Sequence, residues 1–413
     1  MGKSIKVLDR VFIVLIAITF IIPGFLSIDQ MFPEFLYLSI IQTLTTFYVF
    51  LIKKPNISLY FRNNSIRAFV GFLFISLISV ISSTNFQLSI IEISVFFLFF
   101  ITLLNCIILL NDWKFEYFIS IIIILLLLEV SKVHYEVWKL YNYLNPIIRH
   151  PAYAGFSSNV NVTSFSILIK LPFLLYRIFN QKNYKIYIHI FLLVILFLSI
   201  SSIFICYSRG AILSLIIILF LLLGYSIYKA NKSFLFIFLA LVSAYLFNSV
   251  LFMNSETTVA KRAVTFELDK SDSSINSRIG YFKDAIQAAK EKPLIGWGIG
   301  NWKILSFAFA KDRAKEYQVP YHVHNDFLQM FAETGIIGGV LYILIFLPPL
   351  ILLIIGFYSN SFQNDLIFFS MIALIIFFLD SSINFPRARP TSIVNICLIL
   401  GIIYSLQIKK TNE

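Results

Sequence analysis

Apolar residues run along this chain in long blocks separated by short polar turns, and the blocks set the reading. A hydrocarbon core of about 30 Å takes roughly 20 apolar residues as a helix. On that rule the chain predicts about twelve spans, near residues 11–28, 35–52, 67–83, 88–110, 115–131, 157–176, 184–207, 210–228, 233–253, 335–357, 364–383 and 390–408. The long polar interruption, residues 254–334, falls between the ninth and tenth. The expected fold is an all-α polytopic membrane protein with one large loop. It divides into an N-terminal bundle (1–253), the loop (254–334) and C-terminal helices (335–413), treated as one membrane domain because no repeat or Pro-rich or Gly/Ser-rich linker separates them.

Composition removes the soluble alternatives. Hydrophobic residues make up 59% and charged residues 13%, with a mean hydropathy of +0.86, whereas soluble domains carry about 25% charged residues. So little polar surface could not cover a water-soluble core, and membrane lipid is the expected solvent. The net charge of +12 is then read by position. With the N-terminus in the cytoplasm, Lys3, Lys6, Arg10, Lys53, Lys54, Arg62, Arg67, Lys114, Arg177, Lys182, Lys185, Lys229, Lys232, Lys409 and Lys410 all fall on the inner side. The short outer loops near Asp29 and Asn85 carry none, so both termini are expected inside. Lys3, Lys6 and Arg10 precede an apolar run without a small-residue cleavage site, which reads as an uncleaved first span. Cys106, Cys206 and Cys397 lie in or beside apolar runs without metal-ligand spacing and read as packing residues.

That topology sends three polar segments to the outer face: Tyr207 to Gly210, the loop from Asn254 to Thr334, and Asn384 to Pro390. The loop is basic, and loops of this length cross regardless of charge. Asn276 or Ser277 is placed to cap a helix from Arg278 to Glu291, ended by Lys292-Pro293, with Ile279, Phe282, Ile286 and Ala289 as its apolar face. The turn from Gly296 to Trp302 carries two indoles suited to the membrane interface.

The densest chemistry is the run Tyr321-His322-Val323-His324-Asn325-Asp326, which leads into a helix interrupted by Gly335, Gly338 and Gly339. Imidazole titrates near neutrality, so His324 can take a proton from a hydroxyl; a loop histidine bonded to backbone is the plain alternative, and His322 leaves the assignment between the two open. Capping by Asn325 or Asp326 would hold His324 outside a helix N-terminus, whose macrodipole favours the neutral ring. Arg209, between two apolar runs, either snorkels to headgroups or grips a phosphate bidentately at a cavity mouth. Arg278 could do the same, and Arg387 and Arg389 could be headgroup contacts. Asp326 and Glu333 read equally as acid and base or as cap and solvated face. Glu129 and Lys170 lie inside spans and require partners that the sequence does not identify. His134, His150, Asn159 and Asn161 are candidate acceptor-site groups or ordinary loop polarity. No carboxylate cluster suggests a metal or other cofactor, and nothing points to nucleic acid.

His324-Asn325, nine residues, then Gly335-Ile336-Ile337-Gly338 resembles the pattern of the O-antigen ligase superfamily: a His, an amide or hydroxyl residue, nine residues and Gly-x-x-Gly. Ser208-Arg209-Gly210, the run from Arg278 through Asn301 and, more loosely, Asn384 to Pro390 also look like that family's landmarks. The resemblance covers roughly Tyr207 to Pro390. It implies a metal-independent, all-helical (GT-C-like) inner-membrane glycosyltransferase. Such enzymes move a glycan from an undecaprenyl pyrophosphate carrier to a hydroxyl acceptor at the periplasmic face, with inversion. Arg209 and Arg278 would then stabilise the leaving pyrophosphate and His324 would act as base. Asn325, Gly335, Gly338, His322, Arg387 and Arg389 would contact substrate.

A ligase adding O-polysaccharide to lipid A-core is the leading reading, with a polysaccharide polymerase as its alternative. A protein O-oligosaccharyltransferase is disfavoured because no soluble region follows the last span. A glycan transporter would place its polar groups at mid-membrane on broken helices, whereas here they gather outside.

Overall fold

The computed structural model describes residues 2–23, 27, 29, 31–111, 113–141, 153–180, 185–253, 273–310, 320–358 and 364–411. These form helices with no strand among them. In chain order they are α1 (Gly2–Ala17), α2 (Phe32–Tyr48), α3 (Ile57–Tyr60), α4 (Asn64–Ser79), α5 (Phe86–Leu110), α6 (Phe115–Tyr141), α7 (Val160–Phe179) and α8 (Ile186–Cys206), followed by α9 (Arg209–Tyr228), α10 (Ser233–Leu251), α11 (Ser273–Glu291), α12 (Trp302–Ala310), α13 (Asp326–Tyr358), α14 (Asn364–Ile383) and α15 (Pro390–Thr411).

Among the described residues, ten helices are long and apolar enough to cross a membrane. The first and last expected spans correspond to α1, extended by a 3-10 turn to Ile21, and to α15, whose apolar part is the shorter stretch Pro390–Ser405. The ten long helices and these two end helices fall where the twelve expected spans were placed. Asparagines set several starts. Asn63 accepts from the backbone N–H of Ser65, Asn85 from Leu88, Asn159 from Asn161 and Asn325 from Leu328, at 2.8, 3.1, 3.0 and 3.0 Å. Each stands just before an apolar run, where its oxygen satisfies an N–H left open in the first turn.

The tenth of the twelve expected spans departs from expectation. It begins at Asp326 rather than near 335, and Gly335, at φ 71° and ψ −173°, breaks it into two helical pieces. A side chain is strained at that φ. A Cβ there would also lie 2.3 Å from the Leu294 carbonyl oxygen, and one on Gly296 would lie 2.4 Å from the Glu333 carbonyl carbon. The two glycines let the turn after α11 nest into the break, and Trp297 N–H to Ala332 O (3.0 Å), Gly298 N–H to Glu333 O (2.9 Å) and Ile336 N–H to Pro293 O (2.7 Å) tie it there.

The loop helix α11 starts at Ser273, so Asn276 and Ser277 lie inside it instead of capping it. Its buried stripe is Ala285 and Ala288 with Phe282, packed on Trp302, Leu305, Val323 and Ala332, while Ile279 and Ile286 face outward. Small alanines let the helix approach the loop core closely, which rotates it away from the face that the larger side chains suggested. The indoles follow suit. Trp302 is fully buried, and Trp297 donates Nε1–H to Ala288 O at 2.9 Å, so neither is an interfacial anchor.

One end of the bundle collects the connecting segments. Asn301 receives the Asn85 N–H on Oδ1 (2.7 Å), Ser82 Oγ donates to Gly296 O (2.9 Å), Ser208 Oγ donates to Asn161 Oδ1 (2.7 Å) and Asn325 Nδ2 donates to Ser382 O (3.1 Å). The segments sent to one face by the charge reading therefore meet. Mid-bundle, Glu129 and Lys170 find each other at 2.9 Å, which the sequence left open, and Ser166 and Asn395 complete their network. The three cysteines are buried and unbridged.

Candidate functional site

His324 sits at the junction of loop and span. It adopts φ 59°, a left-handed conformation uncommon for a residue with a side chain, because Val323 is buried on one side and Asn325 caps α13 on the other. The His322 ring stacks on Phe385 with centroids 4.2 Å apart, and the His324 ring meets the same phenyl edge-on at 5.0 Å. Tyr281 of α11 lies parallel to His324 at 6.3 Å.

Both imidazoles are held neutral. Burial first, and then the nearby Arg278 guanidinium, lower the His324 pKa to about 4. Burial also drives His322 well below its ordinary value, with Arg387, Lys303, His324 and Arg389 adding to it. Desolvation and cationic neighbours thus do the work that the sequence assigned to the helix end. The Nδ1 atoms of His322 and His324 are buried without a hydrogen-bond partner among the described residues.

His324 lines a small polar cavity of about 50 Å³ together with Asn159, Asn161, Val162, Asp380, Asn384, Phe385, Pro386, Arg389 and Ser392. Arg209 is not on its wall, but the residues on either side of it pack against this end of the bundle. Its neighbour Ser208 is bonded to Asn161, and a Cβ on Gly210 would collide with Ile383, next to Asn384. Arg278 is close enough to act on His324 electrostatically. Arg389 has Nε buried without a hydrogen bond, with its guanidinium 5.2 Å from the centroid of Phe385. Thus the structure brings His324, Arg278 and Arg389 together from three segments.

Arg387, two residues away, has a different fate. It is 2% exposed and forms ion pairs with Glu92 of α5 and, at 3.1 Å, with Asp326 of α13. Its backbone N–H also donates to Asp326 Oδ2 at 3.1 Å. Burial disfavours its charge, but Glu92, Asp326 and Glu333 overcome this and raise its pKa. It is neither a headgroup contact nor part of the cavity wall; it locks the residue after His324-Asn325 to α5. Asp326 therefore pairs with Arg387 while Asn325 does the capping. Glu333 is fully buried, accepting from the backbone N–H groups of Gly300 (2.9 Å) and Trp302 (3.0 Å) and from Gln329 (3.0 Å).

The glycines of the motif meet protein as well. A Cβ at Gly338 would strike Thr334, and Gly335 faces Leu294, so chain packing accounts for both. Asn325 uses its oxygen on the cap and its amide on Ser382. Asn159 and Asn161 line the cavity, whereas His134 contacts Leu198 O at 3.3 Å between helices and His150 lies outside the described residues. Sequence reasoning sent the segment from Asn384 to this face without giving Asn384 a role, and it missed Asp380 and Ser392 on the wall and Glu92 behind it. Their only signal was a polar side chain near the end of an apolar run. Among the described residues no group of three His, Cys, Asp or Glu side chains could hold a metal ion.

A model of the O-antigen ligase family matches residues 173–343, which include Arg209, Arg278 and the His324 motif. The matched segment is similar to that family, and the long apolar helices make the chain a multi-pass membrane protein. It is 32% identical over 74 residues to the exopolysaccharide production protein ExoQ of Rhizobium meliloti, covering 17% of each chain. It is 24% identical over 218 residues to an uncharacterized protein of Haemophilus influenzae, covering 50% of this chain and 52% of that one. The chain therefore spans about half the length of one curated relative and less of the other. Arg387, Arg389, Asp380 and Glu92 lie outside the matched segment, so helices on both sides of it contribute to the cavity and its support.

Proposed function

We propose that this protein transfers a glycan from undecaprenyl pyrophosphate to a hydroxyl acceptor at the periplasmic face, most simply as an O-antigen ligase acting on lipid A-core. The observation that carries this reading is the His324 imidazole on the wall of a polar cavity shared with Arg389, with Arg278 near enough to lower its pKa and its Nδ1 without a hydrogen-bond partner among the described residues. As the anomeric carbon–oxygen bond breaks, charge gathers on the pyrophosphate, and fixed guanidinium groups stabilise that charge more than the ground state. His324 takes the acceptor proton as the new glycosidic bond forms, and direct displacement inverts the anomeric centre.

A base whose pKa is about 4 is weak. The arriving pyrophosphate offsets Arg278 and raises the basicity of the ring when donor is bound. The distribution of Lys and Arg among the short loops supports cytoplasmic termini and a periplasmic site. Metal-independent transfer, membrane lipid around the spans and no other cofactor belong to the same reading.

The test is His324→Ala and Arg209→Ala in cells lacking the native gene. Both variants insert into the membrane and fail to transfer, and full activity in both discards the proposal. Gel analysis of the lipopolysaccharide from the deletion strain separates the two nearest readings. A ligase defect removes all long chains while carrier-linked polymer accumulates, whereas a polymerase defect leaves a single repeat on the core.

A further inference from the structure

The cavity beside His324 differs in chemistry from the cationic flank. Asp380 accepts from Asn384 Nδ2 at 2.8 Å, which fixes both side chains on the wall. Asn161 holds Ser208 through Oδ1, and its Nδ2 makes no hydrogen bond among the described residues. Ser392, at the start of α15, supplies a hydroxyl. A carboxylate, two amides and a hydroxyl form a mixed donor and acceptor set, which is what the two-way hydrogen bonding of a sugar hydroxyl requires. The volume of about 50 Å³ has room for a hydroxyl or hydroxymethyl group, since about 10–15 Å³ of such space holds one water.

We infer that this notch seats one hydroxyl-bearing edge of the acceptor sugar, with Asp380 and Asn161 as its principal hydrogen-bonding residues. A phosphate is the competing occupant, because Arg389 shares the wall. The wall argues against it: apart from that one guanidinium it offers a carboxyl, amides and a hydroxyl, a mixed donor and acceptor set that suits a hydroxyl and not an acceptor-only phosphate. The phosphates then belong on the Arg278 side of His324, and the imidazole stands between donor and acceptor, where a base must be. This assignment rests on the proposed transferase reading and adds the side of the site from which the acceptor enters.

The experiment uses the full-length protein in nanodiscs, with lipid-linked glycan and acceptor glycolipid extracted from the same cells. Asp380→Asn, Asn161→Ala and Ser392→Leu, which fills the notch, are compared with the parent. The acceptor KM should rise roughly tenfold for each lost hydrogen bond, while donor KM and inhibition by inorganic pyrophosphate stay within about twofold. Wild-type acceptor kinetics in all three variants overturns the inference, as does a change confined to donor KM and pyrophosphate inhibition, which would make the notch a phosphate site. Ser392 is part-buried at a helix start, so its variant keeps the test decisive should Asp380→Asn fail to fold. A His324→Ala control separates the two levels: activity in that control sinks the transferase mechanism, whereas inactivity there with unchanged acceptor kinetics in the notch variants sinks only this assignment.

Discussion

Two buried charge networks occupy this molecule, and they are built differently. Mid-bundle, Lys170 and Glu129 form a one-to-one pair whose surroundings, Ser166 and Asn395, are neutral hydrogen-bonding groups. At the site end, one guanidinium, Arg387, answers Glu92 and Asp326 by ion pairing and Glu333 by its field. The first network joins α6, α7 and α15 and touches no candidate functional residue. The second joins α5, α13 and the segment before α15, one residue from the His324-Asn325 motif. A balanced pair suffices to fix helix register, whereas an excess of carboxylate drawn around one cation holds a loop in place against a span. The same kind of interaction thus fastens the scaffold in one place and positions the site in the other.

The largest effect should come from Arg387→Ala. It leaves Glu92 and Asp326 buried without their cation, and breaking a buried pair costs about 3–5 kcal/mol. The variant should lose most of its folded yield in a heated-detergent size-exclusion assay. Paired neutral replacements sharpen the contrast. Glu129→Gln with Lys170→Met should keep fold and transfer, because removing both charges together is nearly neutral. Glu92→Gln and Asp326→Asn with Arg387→Met should keep the fold yet lower kcat by more than tenfold, since His324 loses its anchorage. Equal transfer rates in the two neutralised variants would erase the distinction between the networks.

A smaller effect concerns pH. His324 has a folded pKa of about 4, below the ordinary value of 6.5. The neutral ring therefore persists as pH falls, and kcat/KM should stay flat from pH 8 to about 5 and decline near 4. The acid limb of kcat should lie higher, because bound pyrophosphate raises the pKa. The stability that goes with the neutral ring is complete above 6.5 and is lost as pH falls from there toward 4, as the unfolded chain takes up the proton first. An acid limb of kcat/KM at 6.5 would contradict the burial of His324. The smallest effect belongs to the far end. Lys229 and Asp365 lie 3.4 Å apart and about a third exposed, so Lys229→Ala should change stability by under about 1 kcal/mol and leave transfer intact.

The spans were legible because apolar length is written continuously in the chain. The His324 motif was legible because a titratable ring beside a glycine-broken helix is a local pattern. The joining of Glu92 to Arg387, and of Glu129 to Lys170, was not, because it depends on which helices become neighbours. Local residues could not supply that. The reading of α11 failed for a related reason: periodicity located an apolar face, but close approach selected the alanines over the isoleucines. Asp380 escaped notice because a single acid at the end of an apolar run looks like any membrane-boundary residue.

Asn325 touches two helices at once, its oxygen on the start of α13 and its amide on the end of α14 through Ser382. It acts as a mortise between adjoining beams, so neither can tilt without dragging the other and the imidazole beside it. Aspartate at this position would keep the cap but set a carboxylate against a carbonyl, freeing the joint. Lateral pressure in the bilayer would then reach the His324 loop as wobble instead of being shared across both beams.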